Sequence, residues 1–147
     1  MDYSCVSRTN YFRVTDEDRL AEIISNAFTS SGEEIEFFSD TNANGKTIWG
    51  FAAYGSIDGY RNFFTGDVDS DFDMDFYSFA KDLQEILADD DVIIIQEVGH
   101  EGLRYVTAIA WVISKTEVRT LDLADLTIST CEEMSGVDEH KVGRLEY

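Results

Sequence analysis

Val92 to Val98 reads as a continuous apolar run with β-branched residues on both faces, the pattern of a central strand covered on both sides. Gly99-His100-Glu101-Gly102 then turns the chain, and Leu103 to Ser114 supplies a second long strand. So short a connection makes the two pair antiparallel. Val118 to Leu121 adds an edge strand after Lys115-Thr116-Glu117. Any fold of this chain has to be built around that antiparallel sheet.

The rest of the chain supplies helices and a hairpin. Tyr11 to Val14 reads as a short strand, and Thr15 as the cap of a helix with Asp16, Glu17 and Asp18 in its first turn. Leu20, Ile23, Ile24, Ala27 and Phe28 fall at helical spacing until Ser30-Ser31-Gly32 ends the helix. Glu34 to Asp40 and Lys46 to Tyr54 flank an Asn- and Gly-rich turn and form a hairpin. From Gly55 to Asp71 no period holds, which suggests a long surface loop. Asp73 or Asp75 caps a second helix, whose apolar positions run from Phe76 to Leu87 and stop at Ala88-Asp89-Asp90-Asp91. Asp122 caps a last helix with Leu123, Leu126, Thr127, Cys131 and Met134 inward and Gly136 as its stop.

This order, β-α-β-β-α-β-β-β-α, predicts one α+β domain over residues 1–147, with residues 1–9 loose. A mainly antiparallel sheet of about five or six strands carries three helices on one face, and a ferredoxin-like core is one topology the order permits. The apolar sides of the periods name Leu20, Ile24, Phe28, Trp49, Phe51, Phe79, Leu83, Ile94, Tyr105, Ile109 and Trp111 as core.

Charge narrows the partners. The 147 residues hold 30 Asp plus Glu against 11 Lys plus Arg, a formal net charge of −19. Solubility of a small domain needs only roughly 2 to 8 net charges, and the surplus costs self-repulsion. Nucleic acid and anionic membranes would repel such a chain, so a basic protein is the favoured partner. Val92 to Ile95, the longest strongly apolar stretch, is far short of the roughly 20 residues that cross a bilayer. Met1-Asp2-Tyr3-Ser4 lacks the basic and apolar regions of a secretory leader, and Cys5 and Cys131 need no disulfide framework, so a cytoplasmic setting is expected.

The most unusual segment is Gly66 to Asp75, with Asp67, Asp69, Asp71, Asp73 and Asp75 at alternate positions. In an extended chain these carboxylates share one face at spacings of roughly 6.6 to 6.8 Å, a row of like charges comparable to successive phosphates. Such a row fits a groove built for DNA or RNA through its Arg and Lys side chains. Equally, it suits a solvated loop running into an Asp-rich helix start. Asp89, Asp90 and Asp91 add a second acidic cluster, placed where the helix macrodipole disfavours negative charge, as a solvated turn or for a partner. Asp67, Asp69 and Asp71 also match the first ligands of a calcium loop. Phe72 stands where that loop needs glycine, however, and Ser78 where it needs glutamate, so no metal is expected.

Catalytic signals are poor. His100 falls in the turn and His140 near the C-terminus, neither with a nucleophile or a metal-ligand spacing nearby. Cys131 lies on an inward stripe and Cys5 in the loose N-terminal segment. Adjacent acids such as Asp89 and Asp91, or Glu132 and Glu133, are too common on surfaces to argue acid-base work. No phosphate-binding, zinc-protease or nucleophile-elbow motif occurs, so neither an enzyme nor a cofactor is expected.

Thr9 to Glu17, Tyr54 to Asp58, Asp82 to Leu87, and Gln96 to Gly99 with Leu103 to Val106 together resemble a family of small acidic proteins carried on phage and conjugative elements of bacteria. The resemblance brings no catalytic motif and no assigned site. It implies a setting in which small acidic proteins act against host defence, among them anti-CRISPR and antirestriction proteins that imitate nucleic acid.

Charge and resemblance point to a non-enzymatic inhibitor, monomer or homodimer, bound to the basic channel of a nuclease such as a Cas effector or restriction enzyme. An acidic immunity or regulatory protein, which binds a basic toxin or host factor without mimicry, is the alternative. An enzyme assembled from distant acids is a third reading. Since the Asp67 to Asp75 row lacks the glycine and distal glutamate of a calcium loop, millimolar calcium is expected to leave the melting temperature unchanged. A rise of many degrees that disappears in Asp69→Asn/Asp71→Asn would overturn this.

Overall fold

The computed structural model describes residues 3–62 and 73–135. In chain order they form β1 (Ser4–Thr9), α1 (Glu17–Asn26), β2 (Ala27–Thr29), β3 (Glu36–Thr41), β4 (Thr47–Tyr54), β5 (Ile57–Asn62), β6 (Asp73–Asp75), α2 (Phe76–Ile86), β7 (Ile93–Glu101), β8 (Tyr105–Ile113), β9 (Val118–Asp122) and α3 (Leu123–Ser135). Six strands make one antiparallel sheet in the order β3-β4-β1-β7-β8-β9, and β2-β5-β6 make a smaller one. The fold is α+β. Its part β3-β4-β1-β7, with α1 leaving β1 and α2 entering β7, has the strand order of a ferredoxin-like split β-α-β unit, which β8 and β9 extend.

The N-terminal segment is the main correction. Ser4–Thr9, expected to be loose, is an inner strand that pairs with β4 on one side and β7 on the other. Tyr11 to Val14 contributes only isolated bridges, Phe12 to Trp49 and Val14 to Leu87. Asp16, not Thr15, caps α1 by accepting from the Arg19 N–H at 3.0 Å, while the Thr15 hydroxyl donates to the Ile86 carbonyl.

Helix α1 also ends sooner than its apolar stripe suggests. Ala27 turns extended, and Phe28 pairs with Gly59 in the small sheet. Phe28 is therefore outside the core, with the Arg61 guanidinium 4.1 Å above its ring. Its partner β5 lies within the segment expected to be a loop. Gly59 has φ +92°, and a Cβ there would run into the Asp75 carbonyl and the Phe76 backbone, so glycine is needed where β5 meets the start of α2.

The core joins one face of the large sheet to α1, α2 and the small sheet. Phe51 meets Phe12 and Phe79 edge-on, with Leu20, Ile23, Leu83, Leu87, Ile93, Ile95 and Ile113 packed around them. Trp49 and Trp111 are partly buried against this cluster. Along β7 burial alternates strictly: Ile93, Ile95, Glu97 and Gly99 are buried, whereas Ile94, Gln96, Val98 and His100 are not. The run is thus covered on one face, not two, and Ile94 and Ile109 give way as core residues to Ile93, Ile95 and Ile113. The Tyr105 side chain lies outside the described part. In α3 the inward stripe is shifted in phase: Ile128 is buried and Ala124 and Cys131 are half-buried, while Leu123, Leu126 and Met134 are exposed. A helix lying at β8 and β9, on the sheet's rim, has little apolar surface to cover.

Tyr3 anchors the chain just before β1. Its hydroxyl donates to Glu97 Oε2 at 2.9 Å and lies 2.6 Å from Thr107 Oγ1, over Gly99, where any Cβ would strike the phenol. Tyr3→Phe removes the donor to the 5% exposed Glu97 and is expected to cost about 1–3 kcal/mol, measured by urea unfolding. Unchanged stability would show that this contact does not hold the N-terminal strand.

Candidate functional site

The acidic residues named from sequence fall into three groups. Asp67, Asp69 and Asp71 lie outside the described residues, as does most of the calcium-loop frame. Asp73 stands opposite Asn62 in β6. Asp75 is committed to the fold: it caps α2, accepting from the Ser78 N–H at 3.0 Å and the Ser78 hydroxyl at 2.6 Å. Those hydrogen bonds hold its carboxyl below the ordinary range.

Asp89, Asp90 and Asp91 also separate by role. Asp91 accepts from the Arg13 backbone N–H at 2.6 Å and pairs with its guanidinium at 3.5 Å, closing the turn between α2 and β7. Asp90 takes a left-handed φ of +65° in that turn. Asp89 is 91% exposed and meets Lys115 at 3.2 Å, an ion pair that solvent weakens.

Tertiary structure then joins clusters that the sequence keeps apart. The Thr15 N–H donates to the Ile86 carbonyl, the Ala88 N–H donates to the Arg13 carbonyl, and Val14 bridges Leu87. The first turn of α1 therefore sits beside the end of α2. Glu17 and Asp18 are exposed at the same end of the molecule as Asp89 and Asp90. Among the described residues Arg13, Arg19, Arg104, Lys115 and Arg119 each face an acid within 3.5 Å, and Arg8 and Arg61 lie over the Phe38 and Phe28 rings. The surplus negative charge is left on the exposed acids.

Comparison with protein-family models, with curated proteins and with solved structures found no match.

One polar cluster was missed in the sequence. Glu97 is buried on the core face of β7, bonded to Tyr3, and its charge reaches Asp58 on β5. Burial first, and the Glu97 carboxylate second, push the Asp58 carboxyl above its usual range. Burial likewise raises the Tyr3 phenol to about 12, with Glu97 adding to the effect. The signal was available: Glu97 follows Ile93 and Ile95 at strand period, on the buried side of β7. Reading the run as apolar on both faces hid it. His100, placed in a turn from sequence, is exposed on β7 opposite Val106.

A second network, Arg19 with Glu22 and Asp82 and the Tyr60 hydroxyl donating to Asp82 at 2.7 Å, ties α1 to α2 and β5. Burial and the Asp82 hydrogen bond push the Tyr60 phenol up. No group of three or more His, Cys, Asp or Glu side chains suited to a metal occurs among the described residues, and no described helix is long and apolar enough to cross a membrane.

Asp58 gives a signed pH dependence. A carboxyl raised in the folded state contributes stability below its unfolded pKa of about 3.9, and that contribution is lost as pH rises through the folded value. Asp58→Asn is expected to melt higher than the parent at neutral pH, with the difference vanishing below about pH 4. Thermal melts across pH check this; an Asn variant less stable than the parent at pH 7 would overturn it.

Proposed function

We propose that this protein is a non-enzymatic acidic inhibitor that occupies the basic nucleic-acid channel of a defence nuclease, a Cas effector or a restriction enzyme, by imitating nucleic acid. The observation that carries this reading is the uncompensated charge: −19 overall, with Arg13, Arg19, Arg104, Lys115 and Arg119 already facing local acids. Glu17, Asp18, Asp89 and Asp90, drawn to one end of the helix layer, offer carboxylates to Arg and Lys side chains that otherwise grip phosphates. Asp67, Asp69, Asp71 and Asp73 extend the same chemistry along the chain. Asp75 and Asp91 serve the fold, as cap and turn closure, so they are poor candidates for contact. The resemblance to proteins of phage and conjugative elements supplies a setting in which defence nucleases are the targets.

The test measures cleavage by a panel of Cas effectors and restriction enzymes with and without the protein. Inhibition of at least one nuclease is expected, relieved by excess guide RNA or duplex DNA and steeply weakened by salt, because exposed charge pairs are screened over about 8 Å at physiological ionic strength. Amide variants at Glu17, Asp18, Asp67, Asp69, Asp71, Asp73, Asp89 and Asp90 should bind at least tenfold more weakly with an unchanged melting temperature. If these variants bind as tightly and nucleic acid fails to compete, mimicry is wrong, and an acidic immunity or regulatory protein acting on a basic toxin or host factor becomes the better reading.

A further inference from the structure

Asn44-Gly45 is the one step in the chain where asparagine precedes glycine, and the fold sets it at the tip of the β3-β4 hairpin. The last ladder pair is Thr41 with Thr47, so Asn42 to Lys46 lie beyond the sheet. There the Gly45 N–H donates to the Asn42 carbonyl at 3.0 Å and closes a four-residue turn, with Gly45 at φ +77°. Asn42 is held in place: its side-chain oxygen accepts from the Asn44 N–H and the Lys46 N–H at 3.0 Å each. Asn44 gives only its backbone N–H to that arrangement. The residue is exposed, and its side-chain amide has no hydrogen-bond partner among the described residues. A Cβ built on Gly45 would meet nothing within 4 Å beyond its chain neighbours, so the approach to the Gly45 nitrogen is open.

We propose that Asn44 is a self-modification site, at which the Gly45 backbone nitrogen converts the side-chain amide into a carboxylate. The step needs only the chain and water. The Gly45 nitrogen loses its proton to hydroxide, and its electron pair forms a bond to Asn44 Cγ. The Cγ–Nδ2 bond breaks, and Nδ2 takes a proton from solvent and leaves as ammonia, which completes a cyclic succinimide. Water then opens either carbonyl of that ring. Attack at Cγ restores the normal chain with aspartate at this position. Attack at the Asn44 main-chain carbonyl carbon gives isoaspartate, whose peptide link runs through Cγ and lengthens the backbone by one carbon. Nothing is oxidised or reduced.

The fold decides which residue reacts. For the Gly45 nitrogen to reach Cγ, its bond to the Asn42 carbonyl has to open, and a turn tip opens locally at far less cost than the ladder behind it. Asn10 is held at both side-chain atoms: its oxygen accepts from the Ile94 N–H and its amide donates to the Val92 carbonyl. Asn26 and Asn42 each precede alanine, whose Cβ crowds the attacking nitrogen. Asp58-Gly59 has the glycine without the freedom, because Gly59 is paired with Phe28 and packed against Asp75 and Phe76. The product at Asn44 is a carboxyl with an ordinary pKa of about 3.9, ionised at neutral pH, which takes the formal charge of −19 one unit further negative. No partner is involved, so the site stands apart from the inhibitor reading.

The full chain is kept in mildly alkaline buffer at body temperature and sampled over weeks. Isoelectric focusing reads the charge, and electron-transfer fragmentation of tryptic peptides separates aspartate from isoaspartate. Trypsin cuts after Arg19 and Lys46, so a single peptide reports Asn26, Asn42 and Asn44 together. Conversion at Asn44 should run at least tenfold faster than at Asn26 or Asn42, with isoaspartate the larger product, and should quicken as pH rises. Asn44→Gln removes no contact of the fold and would have to close a larger ring, so it should keep the parent's charge at least tenfold longer. An Asn44 that stays intact or reacts only after unfolding in urea would overturn the site. So would conversion of Asn26 or Asn42 as fast as Asn44, or an Asn44→Gln chain that acidifies as fast as the parent.

Discussion

Ser4–Thr9 hydrogen-bonds along both of its edges, to residues 52–54 on β4 and to residues 95–100 on β7. Without it the β3-β4 hairpin and the β7-β8-β9 meander would be separate pieces, each with one further unpaired edge. Several side chains reinforce the insertion. The buried Ser7 hydroxyl donates to the Gly55 carbonyl at 2.8 Å, and Thr9 Oγ1 accepts from the Phe51 N–H at 3.0 Å. Asn10 carries the ladder one residue further: its side-chain oxygen accepts from the Ile94 N–H at 2.8 Å, and its amide donates to the Val92 carbonyl at 3.0 Å. Polar residues in a central strand are stable here because each has a partner, the condition for burying such groups.

That insertion sets where the two faces of the sheet lie, and the two faces differ in burial. α1, α2 and the small sheet bury one face around Phe51 and Phe79. Tyr60 and Phe76 also pack on Phe79, and Phe76 reaches Trp111 5.1 Å away, so the aromatic cluster spans from β5 to β8. On the other face Val6, Tyr54 and Val98 are exposed side by side. Acidic residues accumulate at the ends of the helices, where carboxylates keep their hydration, and the basic residues among them close local ion pairs.

Much of the fold was legible. The hairpin, the caps by Asp75 and Asp122, the meander and the α+β class all follow from local signals, because turns, caps and periods are short-range properties. The β1 strand was not legible: Ser4, Ser7, Arg8 and Thr9 give it no apolar alternation, and its stability comes from two neighbours distant in sequence. β5 was hidden for a similar reason, since Gly55 and Gly59, both at positive φ, read as loop residues while serving close backbone approach to α2 and the Ser30-Ser31 turn. The phase of α3 could not be read because its apolar residues surround most of the helix and only its place at β8 and β9 selects Ile128.

The same division holds for the candidate sites. The sequence by itself determined the net charge, the caps by Asp75 and Asp122, the hairpin and the three helices, since these depend on composition and on neighbours a few residues away. Only the tertiary structure decided that Asp75 and Asp91 belong to the fold, that the start of α1 with Glu17 and Asp18 lies at the same end as Asp89 and Asp90, and that Val6, Tyr54 and Val98 form one exposed row. Each of those depends on strand order and on which face the helices cover, and both follow from pairings between segments dozens of residues apart, which no local period encodes.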